Sequence, residues 1–227
     1  MDIRVYDDRT GLADAAAQLI VDRAAAGTFS LGLAGGSTPR ATYERLAEMR
    51  ADLSGATLWL GDERWVDPDH RDSNARMARE SLGTAHGASF VVPDWSLGEP
   101  ETAAAAYELA LDRALEGRPP GLVLLGMGDD GHTASLFPGT RALEVTDRNY
   151  VANWVDEKEA WRLTATVPFL ASADQVVFLV AGESKAAMVE RVIERAEPFP
   201  SRVVSDAARD VIWMLDTAAA SRLGRPL

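Results

Sequence analysis

The sequence predicts an α/β protein with a single, doubly wound, mainly parallel sheet covered by helices on both faces. Three observations carry this. Apolar, β-rich runs at residues 3–6, 28–33, 57–60, 122–125, 175–180 and 211–215 alternate with helical patterns at 13–26, 39–50, 102–116 and 185–195. The runs Leu122-Val123-Leu124-Leu125 and Val176-Val177-Phe178-Leu179-Val180 are continuously apolar, as strands buried on both faces must be. The residues that carry chemistry cluster directly after such runs.

Strands alternating with helices imply right-handed crossovers and a Rossmann-like architecture. Pro119-Pro120-Gly121 reads as a loop entering a strand rather than a domain boundary. The alanines of 103–106 read as a tightly packed helix surface. There is no internal repeat or low-complexity linker, so residues 1–227 are expected to form one domain.

Composition narrows the function classes. The chain has 227 residues, is 47% hydrophobic and contains no cysteine, which excludes disulfides, thiolate zinc sites and a cysteine nucleophile. The opening MDIRVYDDRT lacks a basic-then-apolar signal pattern, and no apolar run approaches the roughly 20 residues that span a bilayer. A cytoplasmic protein with no membrane partner is the expectation. The net charge of −12 argues against nucleic acid, whose binding depends on neutralising phosphates with Lys and Arg. It leaves room for a small anion, since a few convergent cations and N–H groups capture one phosphate whatever the global charge.

In open α/β sheets, ligands bind outside the carboxyl ends of the strands. Three loops there are informative. The first is Gly35-Gly36-Ser37-Thr38-Pro39. Glycines allow close backbone approach, Pro39 suits the first position of a helix, and Ser37 or Thr38 can cap it. The loop reads either as a cradle for a phosphate or sugar hydroxyl at a helix N-terminus or as an ordinary well-capped turn.

The second loop is Gly61-Asp62-Glu63-Arg64, followed by Asp72-Ser73-Asn74. On an extended segment Asp62 and Arg64 share a face and Glu63 points away. One of these can line a pocket while another anchors the loop. An exposed charged turn is the expectation for Glu63 and Asp72.

The third loop is Gly126-Met127-Gly128-Asp129-Asp130-Gly131-His132. It matches G-x-G-x-x-G, yet Asp129 and Asp130 would face a pyrophosphate with like charge, and no ribose-binding acid follows at the right distance. His132 reads as a general base with Asp130 orienting one ring nitrogen, or else as the cap of a following helix. His70 and His86 are expected on the surface. There is no G-x-S-x-G elbow and no close histidine pair for zinc. The pairs Asp62/Glu63 and Asp129/Asp130 are conceivable magnesium ligands, but nothing fixes a ligand set.

Together these stretches resemble the 6-phosphogluconolactonase family. The matching text runs from Gly35–Pro39 through Gly61–Arg64 and Asp72–Asn74 to Gly126–Pro138, Arg162-Leu163-Thr164 and Gly182-Glu183-Ser184-Lys185. The resemblance implies hydrolysis of 6-phospho-D-glucono-1,5-lactone in the oxidative pentose phosphate pathway, without a metal or other cofactor. It implies His132 as general base, with the phosphate among Arg64, Arg162 and Lys185 and the substrate lined by Gly36, Ser37, Thr38 and Asp62. The implied partner is a phosphorylated sugar lactone, with the protein a monomer or small homo-oligomer. The family is similar to the glucosamine-6-phosphate deaminases, in which a glutamate stands five positions after the histidine. Here that position is Phe137, which favours the lactonase. The rival readings are a deaminase or isomerase of that kind and a non-catalytic sugar-phosphate-binding domain.

Overall fold

The computed structural model describes residues 1–83 and 87–224. In chain order the elements are β1 (Asp2–Tyr6), α1 (Arg9–Ala25), β2 (Phe29–Leu33), α2 (Ser37–Glu48), β3 (Ala56–Leu60), β4 (Asp62–Arg64), α3 (Asn74–Leu82), β5 (Ser89–Phe90), α4 (Pro100–Ala114), β6 (Leu122–Leu125), β7 (Tyr150–Val155), β8 (Ala160–Ala165), α5 (Val167–Ala171), β9 (Gln175–Val180), α6 (Ala186–Ile193), α7 (Pro200–Ala207) and β10 (Val211–Asp216).

Seven strands form a parallel sheet in the order β1-β10-β9-β6-β2-β3-β5. The apolar runs become doubly covered strands because successive side chains feed two different cores. Val123 and Leu125, Val176 and Phe178, Trp213 and Leu215 enter one core with Tyr107 and Leu111 of α4 and Val204 of α7. Their neighbours Leu122 and Leu124, Val177 and Leu179, Ile212 and Met214 enter the other, with Leu12 and Ile20 of α1 and Tyr43 of α2. The alanines Ala103 and Ala104 of α4 are buried in the first of these cores. Gly32 in β2 is required by packing, since a Cβ there would lie 2.6 Å from the buried Trp59 ring.

A second, three-stranded antiparallel sheet, β4-β8-β7, was not expected from the sequence. It arises where the chain leaves β3 through Gly61 and continues directly into β4, with the Ala165 N–H donating to the Gly61 carbonyl at 2.9 Å. Helices α3, α5 and α7 are likewise additions to the expected set.

The strand order defines the place for a ligand. From β2 the chain moves outward to β3 and β5, whereas β6 leads the other way to β9 and β10. Neighbours β2 and β6 therefore send their following connections in opposite directions. The crevice above such a reversal is where open α/β sheets bind ligands.

Candidate active site

A cleft of about 280 Å³ occupies that crevice, and its walls are the carboxyl-end loops of β2, β3, β6 and β9. Gly36, Ser37, Thr38, Asp62, Arg64, His132 and Lys185 all line it. The three loops singled out in the sequence thus meet at one point.

The β2 loop is anchored from behind. The buried Tyr43 hydroxyl donates to the Ala34 carbonyl at 3.0 Å and accepts from the Ala34 N–H at 2.9 Å. Gly35 packs on Asn74, whose Oδ1 would be 2.1 Å from a Cβ. The expected cap is corrected. Helix α2 begins at Ser37, with Gly36 at φ 104° as its cap and no side-chain capping bond, so Pro39 is its third residue. Ser37 and Thr38 therefore belong to the first turn, whose N–H groups have no acceptors within the helix, and both line the cleft.

On β4 the alternation expected from the sequence holds: Asp62 and Arg64 line the cleft and Glu63 turns away. The expectation that Glu63 is exposed is wrong, because it is fully buried. Its carboxylate accepts from the N–H groups of Arg64, Asn74 and Ala75 at 2.7, 2.7 and 2.8 Å and from the Ser73 hydroxyl at 3.1 Å. A buried carboxylate is thereby fixed at the N-terminus of α3, where the helix dipole favours negative charge. Burial raises its pKa, and these donors oppose the rise. Asp72 is exposed as expected.

Asp62 accepts from the Ser135 hydroxyl at 2.7 Å and from Asn74 Nδ2 at 3.2 Å, so it ties the β4 strand to the histidine loop. The same loop is held by Thr164 Oγ1, which accepts from the Ser135 N–H at 3.2 Å, and by Asn153 Nδ2, which donates to the Ser135 carbonyl at 2.9 Å. Asn153 was missed because β7 was not foreseen; its polar side chain in the run Tyr-Val-Ala-Asn-Trp-Val was the available signal.

Arg162 on β8 stands directly opposite Arg64 in the ladder. Arg64 lines the cleft, and Arg162 lies beside it rather than among the lining residues. The Nε atoms of both are buried without a hydrogen-bond partner. Arg64 Nη1 donates to the Asp72 carbonyl at 2.7 Å, which orients its guanidinium. Burial, and then the charge of Arg64, lower the pKa of Arg162. Two adjacent guanidinium groups with unused donors suit a multiply charged anion, which relieves their repulsion and accepts several hydrogen bonds.

His132 Nδ1 lies 2.5 Å from Asp130 Oδ1. Asp130 also accepts the His132 N–H at 3.2 Å. Burial raises the Asp130 pKa, but the charge and hydrogen bonds of His132 outweigh this, and the net shift is downward. The glycines of this loop serve the histidine turn. A Cβ on Gly128 would lie 2.0 Å from His132 Nδ1, and Gly131, at φ 79°, would press a Cβ to 2.7 Å from the Phe199 ring. The helix expected after His132 is absent: residues 133–136 form a tight turn closed by the Leu136 N–H on the Thr133 carbonyl at 2.9 Å. The helix-capping alternative for His132 has no helix to cap.

Lys185 ends a short 3₁₀ turn after β9 and immediately precedes α6. Its Nζ lies 2.6 Å from Oδ1 of the exposed Asp129. The turn is pinned by the Gly182 N–H, which donates to both carboxylate oxygens of the buried Asp216 at 2.9 and 3.0 Å. His70 is about half exposed, and His86 lies outside the described residues. Among the described residues no group of three or more acidic or histidine side chains is arranged to hold a metal, and no helix is long and apolar enough to cross a membrane.

The fold and site together define a doubly wound α/β protein with a histidine–aspartate pair and convergent cations at its switch point. Residues 7–213 match the model of the glucosamine-6-phosphate isomerase/6-phosphogluconolactonase family. The chain belongs to that family. It is 36% identical over 238 residues to a 6-phosphogluconolactonase of Nostoc sp., covering 97% of this chain and 98% of the relative. The solved 6-phosphogluconolactonase of Trypanosoma cruzi superposes with a TM-score of 0.86 at 28% identity, covering 99% of this chain and 97% of that one. A monomeric glucosamine-6-phosphate deaminase superposes equally well, with a TM-score of 0.86 over 98% of this chain and all of the other, but at 22% identity it shares the fold alone.

Proposed function

We infer that the protein hydrolyses 6-phospho-D-glucono-1,5-lactone to 6-phosphogluconate, the lactonase step of the oxidative pentose phosphate pathway. The observation that carries the mechanism is the pairing of His132 Nδ1 with Asp130 on the wall of a cleft that also presents Arg64 and Lys185. The carboxylate occupies one ring nitrogen and leaves Nε2 for chemistry.

In this reading Arg64, Arg162 and Lys185 hold the phosphate, and the first turn of α2 lines the sugar. Anchoring the phosphate brings the lactone carbonyl to His132. The neutral imidazole takes a proton from water as the water oxygen bonds to the carbonyl carbon. The resulting oxyanion is stabilised by N–H groups of the loops. The ring C–O bond then breaks, and the imidazolium returns the proton to the departing oxygen. Each proton is accounted for by one histidine, with no metal or redox cofactor invoked. The same reading places the protein in the cytoplasm as a monomer or small homo-oligomer.

Phe137 supports the lactonase over the deaminase, since it puts an apolar ring against His132 where the deaminases carry a carboxylate. Following 6-phosphogluconolactone and glucosamine 6-phosphate separately by NMR tests this. Opening of the lactone well above its spontaneous rate, with the amino sugar unchanged, is expected. Ammonia release from the amino sugar with no acceleration of lactone opening would overturn the reading.

A further inference from the structure

The chemistry above uses His132, Asp130 and the cations but gives Phe137 no task. The Phe137 ring lies nearly parallel over the imidazole of His132, with centroids 4.0 Å apart and an interplanar angle of 25°. It is 5% exposed. The segment that carries it is braced. The Phe137 carbonyl accepts from the Thr140 N–H at 3.1 Å and from the Thr140 hydroxyl at 2.8 Å, and Asn153 Nδ2 donates to that hydroxyl oxygen at 3.1 Å.

A hydrogen bond at Nδ1 fixes one point of the imidazole and leaves the ring free to rock about that contact. A flat ring stacked on its face removes this freedom. The stack also has an electrostatic sense. An aromatic face carries partial negative charge and attracts a cation above it, so it favours the imidazolium that forms as water loses its proton.

We propose that Phe137 is a positioning residue for the reaction: its ring holds the plane of His132 with Nε2 toward the cleft and stabilises the protonated ring during turnover. The proposal rests on His132 being the base.

The test combines NMR and kinetics on wild type, Phe137→Leu, Phe137→Tyr and His132→Asn. The chain has three histidines, so the His132 ring protons are assigned by their absence in His132→Asn. In the wild type they should lie upfield of those of His70, through the ring current of Phe137, and Phe137→Leu should abolish that displacement. Phe137→Leu should lower kcat about tenfold, because loss of near-attack geometry and of the cation–aromatic contact both act on the reacting state. Its KM should stay within about twofold, since the phosphate contacts are untouched. Phe137→Tyr, which keeps the ring, should restore kcat. Absence of the upfield displacement in wild type overturns the proposal even if the leucine variant fails to fold. A near-normal kcat in Phe137→Leu, with kcat lost in His132→Asn, overturns the proposal alone. A near-normal kcat in His132→Asn overturns the reading of His132 as base and the proposal with it.

Discussion

Arg64 and Arg162 face each other across two strands, each with a buried Nε that donates to nothing in the protein. Like charges so placed are tolerated where an anion joins them. A charge-assisted hydrogen bond is worth roughly 1.5–3 kcal/mol, so Arg162→Ala or Lys185→Ala should raise KM about 10- to 100-fold, and inorganic phosphate should compete with substrate. Unchanged KM in both variants would remove them from the phosphate site. Asp130 makes a different kind of contribution. Its pKa is lower in the folded chain than its ordinary value, so the stability it adds is complete above the usual carboxylate range and is lost as pH falls through the folded value. The stability difference between wild type and Asp130→Asn, measured by denaturant unfolding, should therefore shrink on acidification. A difference that grew instead would mean that the carboxylate is not held by His132.

Among the elements, β4 and α3 depend on one buried carboxylate. Glu63 satisfies three N–H groups and one hydroxyl at the start of α3, and that helix supplies Asn74 to Asp62. Leaving several buried donors unpaired costs about 1–3 kcal/mol each. Glu63→Ala should lose at least ~2 kcal/mol, a Tm fall of roughly 4–8 °C for a chain of this size. A calorimetric scan with unchanged Tm would show that water replaces the carboxylate at no cost. The same region shows why some elements were legible in the sequence and others were not. Strands β6, β9 and β10 announce themselves because each feeds two cores and is apolar along its run, apart from Gln175 at the start of β9 and Asp216 at the end of β10. The three residues of β4 are all charged, and β4 is a strand only because β8 pairs with it. Helix α3, with the polar sequence NARMARESL, draws its start from Glu63 and Ser73 rather than from an apolar stripe. Asp62, Arg64 and His132 were visible because the loops that carry them follow strands. The burial of Glu63 was hidden because β4 pairs with β8, a strand distant in the chain, and Asn153 was hidden because its partner, the Ser135 carbonyl, lies in a separate loop.

At the scale of the whole molecule, the reversal of connections between β2 and β6 brings together loops separated by some ninety residues of chain. The glycines there were read in the sequence as a weak dinucleotide match, and the structure uses Gly128 and Gly131 to make room for His132 and Phe199. The proposed chemistry needs only the side chains of that crevice. Activity should accordingly survive exhaustive chelation, and loss with EDTA followed by recovery with magnesium or zinc would contradict the metal-free mechanism. The proposed reaction turns on one proton acceptor in this crevice, and a single substitution tests it most directly. His132→Asn keeps a similar size and removes the base, and general-base catalysis contributes typically about 10²–10⁴-fold. With the spontaneous opening of the lactone subtracted, kcat should fall by that order while KM changes little. A folded His132→Asn protein with near-full kcat would contradict the account.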